Sequence, residues 1–206
     1  MADEIFLLDT NILSASSKQK QHPIIKAWLA GQERLAVPYP AILEVEVGIV
    51  ERLRVDQPGG RRLRRWFNEI VVETQFEYAV PTHDVAKKLA EMMCQRELAH
   101  LWMSNSIKRK PGQDLFVAAT SIAYGYPIAT CDRFDFELID RYFPLPGVYD
   151  PKNETWIVPR RVFAPSPPLS STLIVAASGH SILKKLEGPR DVPYPQEQPR
   201  KRLLCP

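Results

Sequence analysis

Short apolar runs alternate with segments of helical periodicity along the first 150 residues. Uninterrupted apolar runs occupy residues 5–8, 35–37 and 127–130, and the last ends in a small polar residue. Runs of this length are typical of strands that are buried on both faces of a parallel sheet. A further extended piece is predicted at residues 76–80. The first run leads directly into Asp9, which therefore stands at the carboxyl end of a predicted strand.

Between these strands, apolar residues recur at helical spacing. The clearest helix is predicted at residues 114–125, which are nearly all apolar or small and end at a glycine. Similar periods predict helices at residues 22–30 and 41–54, one that opens at Arg61, and one from about 82 to 100. Strands that alternate with helices indicate an α/β fold.

The composition changes near Asp150. Of the 19 prolines, 10 lie in residues 151–206, where 9 Lys and Arg face 4 Asp and Glu. Residues 1–150 carry 18 basic and 20 acidic side chains. We therefore expect a folded domain over residues 1–150 and a Pro-rich, basic and largely irregular tail over residues 151–206.

The totals and the missing motifs exclude several classes of protein. Three widely spaced cysteines show no zinc-binding spacing, which favours a reducing, cytoplasmic compartment. The acidic start is no signal peptide, and no apolar stretch reaches the roughly 18 residues that span a membrane. Without a Walker lysine loop, a GxGxxG or a GxSxG, a kinase, a dinucleotide enzyme and a serine hydrolase are all disfavoured.

Four acidic residues stand where a parallel α/β sheet would bring them together. Asp9 and Asp132 follow predicted strands, whereas Glu44 and Asp114 lie early on predicted helices. Strand carboxyl ends and helix amino ends share one edge of such a sheet. Two like charges about 4 Å apart repel by about 4 kcal/mol at an effective dielectric near 20, so a cation or protons must offset them. Oxygen ligands suit Mg²⁺ or Mn²⁺, which predicts metal-dependent phosphodiester hydrolysis.

Simpler roles are open for two of these acids. Asp9 precedes Thr10 and Asn11, which are good helix-cap types, so its alternative role is to cap the next helix. For the helix at residues 41–54, Glu44 and Glu46 lie about 200° apart, so only one can face the site. The place of Glu44 beside the apolar stripe favours it, and the alternative for either is a favourable charge near a helix start.

Basic residues form two segments. Arg52 and Arg54 precede a run of four arginines with two aromatic neighbours at residues 61–67, a composition suited to RNA phosphates and bases. A solvated helix face explains this cluster equally well. A second basic segment, residues 102–112, leads directly to Asp114 and would steer a polyanion towards it.

Four segments in this order carry a family resemblance over about residues 4–150. They are residues 7–11, 43–49, 114–120 and 129–136. Together they resemble the PIN-domain ribonucleases, and specifically the VapC toxins of bacterial and archaeal toxin–antitoxin pairs. The resemblance implies a PIN-like three-layer fold, with a twisted, mainly parallel sheet of four to five strands between helices.

The resemblance also implies a site, a cofactor and partners. It assigns Mg²⁺ or Mn²⁺ to four acids: Asp9, Glu44, Asp114 and Asp132. Asn11 and Thr130 would support the site through hydrogen bonds. Many relatives carry Asn at the position of Asp132 and Asp at that of Asp135, so either is a candidate for the fourth acid. The implied partners are an RNA substrate, such as tRNA, a cognate antitoxin and a second copy of the chain.

The resulting hypothesis is a metal-dependent endoribonuclease, the toxin of a VapBC-like pair. The alternative is a catalytically inactive PIN-like module that binds RNA or a partner. A phosphatase with Asp9 as its nucleophile is disfavoured, because such enzymes carry a second Asp at the position of Asn11.

Overall fold

The strands of the central sheet are short and follow the predicted apolar runs. The computed structural model describes residues 4–15, 22–73, 76–103 and 113–162, all within the first of two units, residues 1–166. Its strands are β1 (Phe6–Leu8), β2 (Leu35–Pro38), β3 (Glu77–Ala79), β4 (Ile128–Ala129), β5 (Val148–Asp150) and β6 (Thr155–Val158). Residues 104–112, most of the basic segment predicted over residues 102–112, and the tail from residue 163 lie outside the described residues.

Helices connect the strands and cover both faces of the sheet. They are α1 (Thr10–Ala15), α2 (Pro23–Ala30), α3 (Tyr39–Val55), α4 (Gln57–Glu73), α5 (His83–Met93), α6 (Ala99–Trp102), α7 (Gln113–Tyr124) and α8 (Phe134–Tyr142), with a 3₁₀ turn at Arg96–Leu98. Among the described helices, none combines the length and the apolar character needed to cross a bilayer.

The sheet order is β3-β2-β1-β4-β5-β6, and all neighbours are parallel except β5 and β6. The predicted mainly parallel α/β sheet is confirmed. It has six strands among the described residues rather than four to five, because β6 turns back along β5 as an antiparallel edge. β6 lies beyond Asp150, so the sheet continues further along the chain than the change in composition indicated.

The central strand β1 shows why its sequence is apolar without alternation. Leu7 is fully buried against one core, which is formed with α5, α7 and α8. Phe6 and Leu8 point to the opposite face and pack into a second core with helices α1 to α4. Successive side chains of a strand alternate between faces, so a strand with both faces covered needs apolar residues at every position.

Two predicted helix boundaries are wrong. The helix predicted to open at Arg61 begins at Gln57, because Asp56 accepts a hydrogen bond from the Gly59 amide at 2.9 Å and Pro58 is tolerated at a helix start. The helix predicted to reach residue 100 ends at Met93, where the chain turns and buries Leu98 completely. By contrast, α7 ends as predicted at Gly125, whose φ of 72° suits a glycine after a helix.

Candidate active site

Asp9 lies at the carboxyl end of β1, in the middle of the sheet. Its amide donates to the Ala129 carbonyl at 3.0 Å, which continues the pairing of β1 with β4. Its own carbonyl accepts from the amides of Ile12 and Leu13, so α1 begins immediately afterwards. Only 6% of Asp9 is exposed. The change from strand to helix therefore buries a carboxylate at the edge where ligands bind in open α/β sheets.

Hydrogen bonds from both sides hold the Asp9 carboxylate. Oδ1 accepts from the Thr10 amide at 2.6 Å, and Oδ2 accepts from Asn11 Nδ2 at 2.6 Å and from the Thr130 hydroxyl at 2.7 Å. Thr130 comes from the end of β4, far along the chain. Asp9 is therefore more than a local helix cap, because its side chain joins the ends of two neighbouring strands.

Thr130 links Asp9 to the residues that follow β4. Its hydroxyl donates to Asp9 and accepts from Asn11 Nδ2 at 2.9 Å and from the Asp132 amide at 2.9 Å. One donor and two acceptor positions are all that a hydroxyl offers, so this group is fully used. Asn11 and Thr130 thus connect Asp9 with the backbone of Asp132 in one hydrogen-bonded network.

The acids affect one another's ionisation. Burial raises the pKa of Asp9 to about 6, against the hydrogen bonds from Thr130 and Thr10, and the charges of Glu44 and Asp132 add to the rise. Asp114, in the first turn of α7, has a pKa raised to about 7 by burial and then by the charges of Asp9, Asp135, Asp132 and Glu44. All the predicted acids therefore lie close enough at the sheet edge to affect one another electrostatically.

Glu44 and Glu46 have different surroundings. The Arg64 guanidinium of α4 donates to Glu46 Oε1 at 2.6 Å and contacts the other carboxylate oxygen, which ties α3 to α4. Glu44 instead contributes its charge to the environment of Asp9 and Asp114. The structure therefore brings Glu44 to the acids and uses Glu46 in a contact between helices.

Asp132 and Asp135 both lie near Asp114. Each raises the pKa of Asp114, and Asp132 also raises that of Asp9. Asp135 belongs to the first turn of α8, whereas Asp132 lies in the segment between β4 and α8. Their positions leave both as candidates for the fourth acid.

The predicted acids bring only oxygen ligands to this edge of the sheet. Among the described residues, no group of three or more acidic, histidine or cysteine side chains is placed to hold a metal ion by itself. Mg²⁺ keeps several waters and binds through one or two carboxylates together with substrate oxygens, so two of these acids would be enough to bind it. An oxygen-only donor set with unrelieved negative charge suits Mg²⁺ or Mn²⁺ better than Zn²⁺.

Comparison with known proteins identifies the family. Residues 6–141 match the sequence model of the PIN domain family. The chain belongs to the PIN-domain family. A stretch of 72 residues is 33% identical to Ribonuclease VapC14 of Mycobacterium tuberculosis (strain CDC 1551 / Oshkosh), covering 32% of this chain and 67% of that protein. The resemblance to the VapC group of PIN-domain ribonucleases is thereby confirmed.

Two solved structures share the PIN fold. FitAcB from Neisseria gonorrhoeae superposes with a TM-score of 0.51 at 19% identity, over 71% of this chain and 97% of that chain. VapBC2 from Rickettsia felis, solved bound to a DNA fragment from its promoter, gives a TM-score of 0.50 at 17% identity, over 74% and 98% of the two chains. At these identities the likeness concerns the fold alone.

One buried carboxylate of this PIN domain is not among the predicted site residues. Asp150 ends β5, next to β4, and is 7% exposed. A signal was present, because Val148 and Tyr149 lead into Asp150 as the first apolar run leads into Asp9. Because the composition changes at Asp150, the domain boundary was predicted there, and the likeness between this strand end and the one at Asp9 was not recognised.

Two arginines of the basic cluster form ion pairs within the helix pair α3 and α4. Arg52 forms an ion pair with Asp56 at 2.5 Å, and Arg64 forms one with Glu46. These two arginines stabilise the hairpin between the helices. The exposed Arg61, whose guanidinium donates to Gln57 at 3.3 Å, lies on the outer face of α4.

Proposed function

We propose that this PIN-domain protein is a metal-dependent endoribonuclease and the toxin of a VapBC-like toxin–antitoxin pair. The observation that supports the proposal most strongly is the buried Asp9 carboxylate, which hydrogen bonds fix at the end of β1 among the other acids, whose charges help to raise the pKa of Asp114 to about 7. A buried carboxylate and a partly buried one that repel each other are costly in an isolated fold, and a divalent cation bound by both would offset this cost.

The site residues would have different roles in the proposed reaction. Asp9 and Asp114 would hold Mg²⁺ or Mn²⁺, and the negative charges of Glu44 and Asp132 would add to the attraction for the cation. The bound ion would supply a water of lowered pKa and offset the charge that develops on the phosphate. Asn11 and Thr130 hold Oδ2 of Asp9 and the Thr10 amide holds Oδ1, so the carboxylate would not need to reorganise during the reaction.

The substrate class in this proposal is RNA. It is supported by the sequence similarity to a protein named Ribonuclease VapC14 and by the acidic site, which needs a cation before it can accept a phosphodiester. Structured RNA such as tRNA is the substrate we propose to test first.

The proposed protein partners are an antitoxin and a second copy of the chain. The fold shared with VapBC2 supports the first. For the second, α3 exposes Tyr39, Leu43 and Val50, which lie four and seven residues apart on one side of the helix and are 45%, 39% and 43% exposed. An apolar stripe of this kind suits burial against the same stripe of another copy.

The test is RNA cleavage by the purified chain with Mn²⁺ or Mg²⁺. We expect cleavage that stops in EDTA and that falls by about a hundredfold or more in Asp9→Asn and in Asp114→Asn. Glu69→Gln, an exposed acid on α4, is the matched control and should cleave like the parent. RNA binding that survives EDTA without any cleavage would support the alternative, a catalytically inactive binding module.

A further inference from the structure

Phe134 is an aromatic side chain that the fold leaves in water. It opens α8 and is 79% exposed, whereas Phe136, two residues further on, is fully buried. Residues two apart on a helix lie about 200° apart, so the two rings are on opposite sides of α8. Phe136 anchors the first turn of α8 in the core, and Phe134 adds little to the stability of the fold because its ring stays in contact with water.

Hydrogen bonds fix the backbone that carries Phe134 beside the acids. The Thr130 hydroxyl donates to Asp9 at 2.7 Å and accepts from the Asp132 amide at 2.9 Å. The Arg133 carbonyl then accepts the first hydrogen bond of α8 at 3.0 Å. Two residues span at most about 7 Å, so the backbone of Phe134 lies within that distance of the backbone of Asp132.

The position of Phe134 distinguishes it from other exposed apolar side chains. Single exposed apolar residues are ordinary on protein surfaces, so exposure alone assigns no role. Phe134, however, lies between Asp132 and Asp135, whose negative charges both act on Asp114. Within the described part of the chain, none of the contacts between two rings or between a cation and a ring involves Phe134. Its ring is therefore open to a ligand that binds at the acids.

The surroundings of this ring suit a nucleobase better than a phosphate. The acids repel a phosphate wherever no cation offsets their charge. The neighbouring guanidinium, that of Arg133, forms an ion pair with Glu137 at 2.9 Å. An uncharged base meets no such repulsion and stacks on an aromatic ring through its π-face, provided that the base is unpaired.

We propose that Phe134 binds the RNA substrate by stacking on an unpaired base next to the phosphate that lies at the acids. This inference rests on the RNA substrate of the proposed function and adds a substrate-binding residue to it. The stack would hold the scissile phosphate in place relative to the ion. Loss of one stack between a base and an aromatic side chain corresponds to about 5- to 150-fold in affinity.

The test compares Phe134→Ala, Phe134→Leu and Phe134→Tyr in RNA cleavage with Mn²⁺ and in RNA binding. Binding is measured by fluorescence anisotropy in Ca²⁺, with the RNA checked on a gel to be intact. Alanine should raise KM and weaken binding by about fivefold or more, with an unchanged Tm because the ring is exposed. Leucine keeps the apolar volume without a π-face and should resemble alanine, whereas tyrosine keeps the ring and should stay within about twofold of the parent. Tyr142→Ala, 41% exposed at the far end of α8, is the aromatic control and should match the parent.

Changes in the RNA test the base itself. Once the cut position is mapped, RNAs that lack the base on one or the other side of the cut are offered to the parent and to Phe134→Ala. One of them should bind to the parent as weakly as intact RNA binds to Phe134→Ala, and the two changes together should be no worse than either alone. A 2-aminopurine at that position should lose fluorescence on binding to the parent and keep it with Phe134→Ala.

The outcomes separate this inference from the proposed function. If the parent cleaves RNA and Phe134→Ala or Phe134→Leu matches it in KM and affinity, the ring does not stack on a base, although the nuclease proposal stands. Fully additive effects of Phe134→Ala and the missing base also overturn the inference. If Phe134→Ala changes only the sedimentation of the RNA-free chain, the ring belongs to a protein interface and the inference is wrong. A parent that binds RNA through Phe134 without cleaving it overturns the proposed function alone, and a parent that binds no RNA overturns both.

Discussion

Replacing Asp114 with Asn should stabilise the metal-free protein at neutral and alkaline pH. Asp114 lies in the first turn of α7 and has a pKa raised to about 7, first by burial and then by the charges of Asp9 and its other acidic neighbours. Between pH 4 and 7 the folded protein keeps a proton on this carboxyl that the unfolded chain has released. Its contribution to stability is therefore greatest below about pH 4 and is lost as the pH rises to about 7.

The size of the effect follows from the pKa. A rise from 3.8 to about 7 corresponds to at most about 4 kcal/mol of stability lost at pH 8. Asp114 is only partly buried, so water screens part of this cost, and we expect Asp114→Asn to recover about 1–2 kcal/mol. For a chain of this size that corresponds to an increase in Tm of about 2–8 °C.

The assay is thermal unfolding in EDTA at several pH values, repeated with Mn²⁺. The Tm of the parent should fall between pH 5 and pH 8, and the gain from Asp114→Asn should grow over the same range. Mn²⁺ should raise the Tm of the parent more than that of the variant, because the variant has lost a ligand. Glu69→Gln should match the parent throughout.

A lower Tm for Asp114→Asn in EDTA at pH 8 would refute this reasoning. A gain of equal size at pH 4 and pH 8 would also refute it, because the effect would then not come from ionisation of Asp114.

Three further predictions concern the network, the glutamates and the partner surface. Thr130→Val should weaken Mn²⁺ binding by about 10- to 100-fold in calorimetry, because it removes one of the two side-chain donors to Oδ2 of Asp9; parent-like affinity would contradict this. Glu44→Gln should abolish cleavage, whereas Glu46→Gln should retain it and lower stability by less than about 1 kcal/mol. Loss of RNA cleavage in Glu46→Gln but not in Glu44→Gln would mean that Glu46, and not Glu44, belongs to the site. Val50→Asp should dissociate a homodimer in sedimentation, unlike Val55→Asp on the opposite side of α3; equal effects would place the interface elsewhere.

The sequence was informative where the pattern of apolar residues and the general rule for parallel α/β sheets indicated the same position. The apolar run of β1 placed Asp9 at a strand end, and the shared edge of parallel strands and helices then brought in Asp114. The angular separation of Glu44 and Glu46 predicted that they face different surroundings, although only the structure shows that Arg64 forms an ion pair with Glu46.

The sequence was less informative where composition or a local signal competed with tertiary contacts. Prolines marked the chain beyond Asp150 as irregular, which hid the β-prone strand β6 and the buried Asp150 itself. The helical period continued past Met93, and nothing local signals that the chain turns there to bury Leu98.

Anomalous scattering from crystals soaked in Mn²⁺ tests the central claim most directly. The account predicts a peak at the sheet edge, with carboxylate oxygens of Asp9 and Asp114 at about 2.2 Å from the ion. The absence of a peak there, in crystals whose RNA-free protein is otherwise intact, would contradict the claim that these acids form a metal site.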